Sequence, residues 1–144
     1  MESRHFGSYD RPLIRAYTFP QVDFGGAGNV THLIPVPKLG PAIGAKRGLQ
    51  GRVLSVEISR VTEDFAGSTS DSAVQVGDGS DVDKYFDSGL VLNESVDIGE
   101  VLELVDDGAA VDIEAGRSSV TVTAVASVGT PTGIADVTVV IAWW

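Results

Sequence analysis

Residues 119–144 read SVTVTAVASVGTPTGIADVTVVIAWW, and two runs inside this stretch decide the fold. From Ser119 to Ala126, Val120, Val122, Ala124 and Ala126 alternate with Thr121, Thr123 and Val125. From Ile134 to Trp144, Ala135, Val137, Val139, Ile141 and Trp143 share one face. Asp136, Thr138, Val140, Ala142 and Trp144 share the other. A period of two belongs to a strand, whose successive side chains point to opposite faces, and β-branched residues suit its pleated surface. The second half of the last run is apolar on both faces. That predicts a central strand, or one covered by a partner.

The same alternation extends upstream. Arg52 to Val61 sets Leu54, Val56 and Ile58 against Ser55, Glu57 and Ser59. Shorter strand candidates are Leu13–Phe19, Asn29–Val36, Ala73–Val76, Gly89–Leu92, Glu100–Leu104 and Ala109–Glu114. Turn chemistry separates them at Gly25–Asn29, Gly67-Ser68, Gly77-Asp78-Gly79, Asn93-Glu94, Asp106-Asp107-Gly108 and Gly116-Arg117. Asp107-Gly108 between two strand-like runs predicts a hairpin. One short helical turn is expected over Asp81–Phe86, capped by Asp81 or Asp83. No longer stretch holds a helical apolar period without Gly, Pro or β-branched residues. The fold class is all-β: a single jelly-roll-like antiparallel β-sandwich of about eight strands.

The first 50 residues differ from the rest. Pro12, Pro20, Pro35, Pro37 and Pro41 are five of the six prolines of the chain. Proline donates nothing to a sheet ladder, so this segment is expected as an extended Pro/Gly-rich arm with edge strands. The division is an arm over residues 1–50 and a sandwich core over residues 51–144. A chain of 144 residues is one domain, long enough to bury roughly 70% of its unfolded surface.

Composition excludes several chemistries. There is no cysteine, hence no disulfide, thiolate metal site or cysteine nucleophile. The N-terminus lacks the apolar core of a secretory signal, and no apolar run has the length of a membrane-spanning helix. The net charge of −10 opposes nucleic-acid and anionic-membrane binding. Residues 1–60 carry eight basic and four acidic groups; residues 61–144 carry two and sixteen. A basic first segment able to dock on an acidic surface is one reading of this asymmetry. Asp78–Asp83 has alternate carboxylates like a fragment of a calcium loop, without the bidentate Glu or the ligand spacing, so no metal and no cofactor is expected. His5 and His32 lack partners at metal-ligand spacing. No nucleophile elbow or phosphate loop is present.

The string VEISRVTEDFAGSTSDSAVQVGDGSDVDKYFDSGLVL, residues 56–92, resembles a pattern in small virion proteins of tailed bacteriophages. Its parts are a strand ending at Val61–Phe65, a polar loop over Gly67–Ser72, a short strand over Val74–Gly77, an acidic turn over Asp78–Asp83, and the pair Tyr85-Phe86. It is most like capsid decoration (cement) proteins. The resemblance implies a non-catalytic role on the outer capsid surface, stabilising contacts between major capsid subunits as a dimer or trimer. It supplies no catalytic residue.

Two further functions stay open. One is a receptor- or carbohydrate-binding module of a head fibre or tail. The other is a β-sandwich enzyme using His5 or His32. For the leading reading, the expected partners are the major capsid protein and further copies of the chain, without nucleic acid or membrane. Arg11, Arg15, Tyr17 and Phe19 are the expected capsid-facing residues, because they combine charge with aromatic area before the first strong strand. Trp143 is expected in the core, and Trp144 at an oligomer interface.

Overall fold

The computed structural model describes residues 12–26, 28–38, 49–68, 71–108 and 111–144, leaving aside the side chain of Ser68. Among them are eight strands and no helix. In chain order they are β1 (Leu13–Asp23), β2 (Val30–Pro35), β3 (Gly51–Ser68), β4 (Ala73–Gly77), β5 (Phe86–Asp87), β6 (Leu102–Leu104), β7 (Ser119–Val125) and β8 (Gly129–Trp143). They form two four-stranded antiparallel sheets, ordered β1-β8-β3-β6 and β2-β7-β4-β5. Each of the first four strands pairs with a mirror strand from the last four: β1 with β8, β2 with β7, β3 with β6, β4 with β5. The expected all-β sandwich is the observed architecture. β1 and β2, from the proline-rich segment, are edge strands.

Alternation builds the core. Ala135, Val137, Val139, Ile141 and Trp143 of β8 face inward and are buried. Val56 and Ile58 of β3 join them from one side. Ile34, Val74, Val76, Val120 and Val122 come from the opposite sheet. β8 is central, between β1 and β3, so its apolar second face has a strand on each side. Phe24 and Phe65 meet with ring centroids 5.1 Å apart, closing one end of the core.

Four expectations are corrected. Leu54 does not share the inner face of Val56 and Ile58: the pairing with β8 slips between Val53 and Ser55, and Leu54 turns outward. Asp81–Phe86 is not a helical turn: residues 81–85 belong to the β4–β5 connection, Phe86 opens β5, and the Tyr85 N–H donates to the Val76 carbonyl. The capping carboxylate there is Asp78, which accepts from the N–H groups of Ser80 and Asp81 at 2.8 Å each. Asp107-Gly108 joins no hairpin among the described residues: β6 pairs with β3, and Ile113 makes only an isolated bridge to Gly51. Gly89–Leu92 likewise supplies a single bridge, from Leu92 to Ser72.

Candidate interaction surface

β1 carries three of the residues expected at a capsid contact; Arg11 lies outside the described residues. The pleat divides them. Leu13, Tyr17 and Phe19 are half-buried and pack on the core, while Ile14, Ala16 and Thr18 are exposed on the outer face. The Tyr17 hydroxyl accepts from Trp143 Nε1 at 2.9 Å, which satisfies the one donor of a buried indole. Phe19 stacks on His32 of β2, centroids 4.6 Å apart, bridging the edges of the two sheets. Arg15 is exposed. β1 therefore presents the row Ile14, Ala16 and Thr18 on its outer face, while Arg15, exposed, shares the alternation of Leu13, Tyr17 and Phe19.

The two tryptophans separate as the pleat requires. Trp143 is 1% exposed and Trp144 is 40% exposed. The Trp144 backbone is held by reciprocal bonds with Gln50, N–H to carbonyl at 2.9 and 3.0 Å. Its indole thus stands on a fixed backbone. On the outer face of the same sheet, Ile14 lies opposite Ala142, and Ala16 opposite Val140. Ile14 is 59% exposed and Leu54 49%, so an apolar strip crosses this face.

A charge cluster that the sequence did not reveal lies at the β4–β5 connection. Arg117 bonds Asp78 at 2.7 Å and Glu114 at 2.6 Å. Lys84 reaches Glu114 at 2.8 Å and Asp78 at 3.3 Å. The Tyr85 hydroxyl donates to Glu114 at 2.8 Å. The Ser80 and Asp81 N–H groups, followed by the two cations, hold the Asp78 carboxyl below its ordinary range. Lys84, then Arg117 and Tyr85, hold Glu114 well below its own. Burial, reinforced by Glu114, pushes Tyr85 up to about 12. One signal was available. Lys84 and Arg117 are the only basic groups after residue 60, and both converge here.

This arrangement fastens loops; it does not present a reactive group. The oxygens of Asp78 are occupied by its own turn and by two cations, so they do not converge with Asp81 and Asp83. Among the described residues no three His, Asp or Glu side chains are placed to share a metal ion. His32 Nε2 is buried without a hydrogen-bond partner among the described residues, and the ring is held by Phe19 instead of by a carboxylate or hydroxyl. His5 lies outside the described residues.

A second clamp sits where β1 and β3 flank β8. Asp136 accepts from the backbone N–H of Gln21 at 2.8 Å and from Gln21 Nε2 at 2.7 Å. Thr62 donates to Gln21 Oε1 at 2.6 Å, and Arg60 Nη1 lies 3.6 Å from Asp136. The Gln21 N–H, ahead of the other contacts, holds the Asp136 carboxyl below its ordinary range.

No family model matches the chain. None of the curated proteins matches it either. Among solved structures, the cyanophage Pam1 capsid asymmetric unit shares the fold, with a TM-score of 0.50 and 16% identity, over 92% of this chain and 86% of that one.

Proposed function

We propose that this chain is a non-catalytic jelly-roll protein of a bacteriophage virion. It binds the outer capsid surface and stabilises contacts between major capsid subunits. The observation that carries this reading is the likeness to the cyanophage Pam1 capsid asymmetric unit across 92% of the chain. The pairing of β1 with β8, β2 with β7, β3 with β6 and β4 with β5 supports it, being a double hairpin rolled into two sheets. Jelly rolls of this kind recur in viral capsids. The acidic surface after residue 60 suits a solvent-facing coat.

In this reading the β1 edge meets the capsid through Arg11, Arg15, Tyr17 and Phe19, with Arg15 exposed on the same alternation as the half-buried Tyr17 and Phe19. Trp144, exposed on a backbone fixed by Gln50, meets another copy of the chain in a dimer or trimer. Copy number per purified virion, measured by quantitative mass spectrometry against the major capsid protein, tests the proposal. One copy per capsid subunit, or a simple fraction of that, is the expected result. A handful of copies per particle would assign a fibre or tail role, and absence from virions would overturn both.

A further inference from the structure

β6 is three residues long and is the outermost strand of its sheet. Among the described residues it pairs with β3 alone, on one side. An outermost strand turns a row of backbone N–H and C=O groups away from its neighbour, which makes a template for another chain. The surface beside this edge mixes apolar side chains with Glu100, Glu103 and two serines. A cavity of about 400 Å³ opens between β6 and the 88–96 connection, with Val91, Val96, Leu102, Leu104 and Val105 in its wall. Val91 is 43% exposed and Val105 is 77% exposed. With Leu90, Ile98 and Val101, five large apolar side chains between residues 90 and 105 face solvent. Of these, Val91 and Val105 share the wall of the cavity, where a partner's apolar side chain would be removed from water.

The sequence of this edge and its flanks is acidic. Residues 85–107 contain seven acidic groups and no Lys or Arg. The two basic groups beyond residue 60, Lys84 and Arg117, are engaged by Asp78 and Glu114. Glu103 of β6 stands directly opposite Glu57 of β3. Side chains so placed have Cβ atoms about 4.5–5.5 Å apart, and like charges there destabilise a sheet. Neither glutamate has an ion pair among the described residues. Among the described residues the outward backbone of β6, the groove beside it and the uncompensated pair of Glu103 on β6 and Glu57 on β3 lie together.

We infer that the free edge of β6 binds an extended segment of a partner protein, added as a further strand with the pattern apolar–Lys/Arg–apolar. Side chains of an added strand stand level with those of its neighbour and alternate between the same two faces. Apolar residues level with Leu102 and Leu104 enter the groove. The cation between them stands level with Glu103 and compensates Glu103 and Glu57 together. Backbone bonds give affinity, and the pocket and the cation give selectivity. A second copy joined edge to edge through β6 is disfavoured, because antiparallel pairing centred on Glu103 sets that carboxylate against its own copy. The inference does not rest on the virion reading, since it concerns a different edge from β1.

The test uses the whole chain, labelled with ¹⁵N and titrated with two synthetic heptapeptides, Thr-Val-Lys-Val-Lys-Val-Thr and its counterpart with Glu in place of Lys. The lysine peptide is expected to move the amide resonances of Leu102–Leu104. The glutamate peptide should bind at least about tenfold more weakly, and added salt should narrow the difference. Glu103→Gln and Glu57→Gln should each raise the melting temperature of the free protein while weakening the lysine peptide several-fold. A purely structural role would change the first and not the second. No movement at β6, equal affinity for the two peptides, or full affinity in both glutamine variants would overturn the inference. Dimerisation that the lysine peptide competes away would overturn the choice of occupant, in favour of a second copy.

Discussion

Gly77 ends β4 where the following connection folds back on its own strand. A Cβ there would lie 2.0 Å from the Asp81 carbonyl oxygen and 2.4 Å from the Val82 carbonyl carbon. Both are backbone atoms, and the Asp78 carboxylate fixes the turn that contains them through the Ser80 and Asp81 N–H groups. They cannot move without breaking that turn. Gly77→Ala is expected to cost about 1–3 kcal/mol, as overpacking does elsewhere. At Gly79 a Cβ meets nothing within 4 Å, and Gly79→Ala should stay within about 0.5 kcal/mol of the parent. Urea unfolding of the two variants checks this, and equal losses would reject close approach as the cause. The string Gly77-Asp78-Gly79 announces a turn, but not which glycine is obligatory. That depends on where the loop returns, which no local residue pattern encodes.

At the scale of the strands, β1 and β3 interrupt their pairing with β8 at the same level. β1 slips between Phe19 and Val22, and β3 between Ser59 and Glu63. Gln21 and Arg60 adopt φ of +49° and +46°, a region that side chains with a Cβ rarely occupy. Asp136 lies between them on β8 and bonds the displaced Gln21 backbone, so it holds the β1 irregularity in place. Asp136→Ala strands a part-buried N–H and is expected to lose about 1–3 kcal/mol. Arg60→Gly removes backbone strain from a residue whose side chain is 73% exposed and only 3.6 Å-paired, and should be neutral or stabilising by up to about 1 kcal/mol. Thermal melts of both variants check this; a large loss in Arg60→Gly would place the guanidinium among the essential contacts. These irregularities explain what the alternation could and could not convey. The inner face of β8 was legible because its period is unbroken from Ala135 to Trp143. β3 was legible only as far as Val61, because slips at Leu54 and Arg60 reset its phase and its polar continuation, Thr62–Asp64, gives no core signal. β5, two residues long, carries no period at all. Pairing over such a distance is fixed by β4 and by the Asp78 turn.

For the molecule as a whole, the charge cluster sets how stability depends on pH. Asp78, Glu114 and Asp136 bind their protons less tightly in the folded chain than carboxylates ordinarily do. Each contributes stability that is complete above about pH 5 and is lost as pH falls through its folded value. Tyr85 and Lys84 behave in the opposite sense, because folding makes both hold their protons more tightly. Their contributions are complete below about pH 10, the unfolded range. Tyr85's is lost as pH rises toward its folded value of about 12. The expected profile of melting temperature is a plateau from about pH 5 to about pH 10 with a decline on each side. Glu114 receives bonds from Lys84, Arg117 and Tyr85, so it governs both limbs. Glu114→Gln should lower the plateau and make both declines shallower. Tyr85→Phe should leave the acid limb in place and remove part of the alkaline one. An alkaline limb unchanged in Tyr85→Phe would assign that loss to Lys84 alone. An acid limb unchanged in Glu114→Gln would assign it to Asp78 and Asp136, the carboxylates of the β4–β5 turn and of the strand clamp.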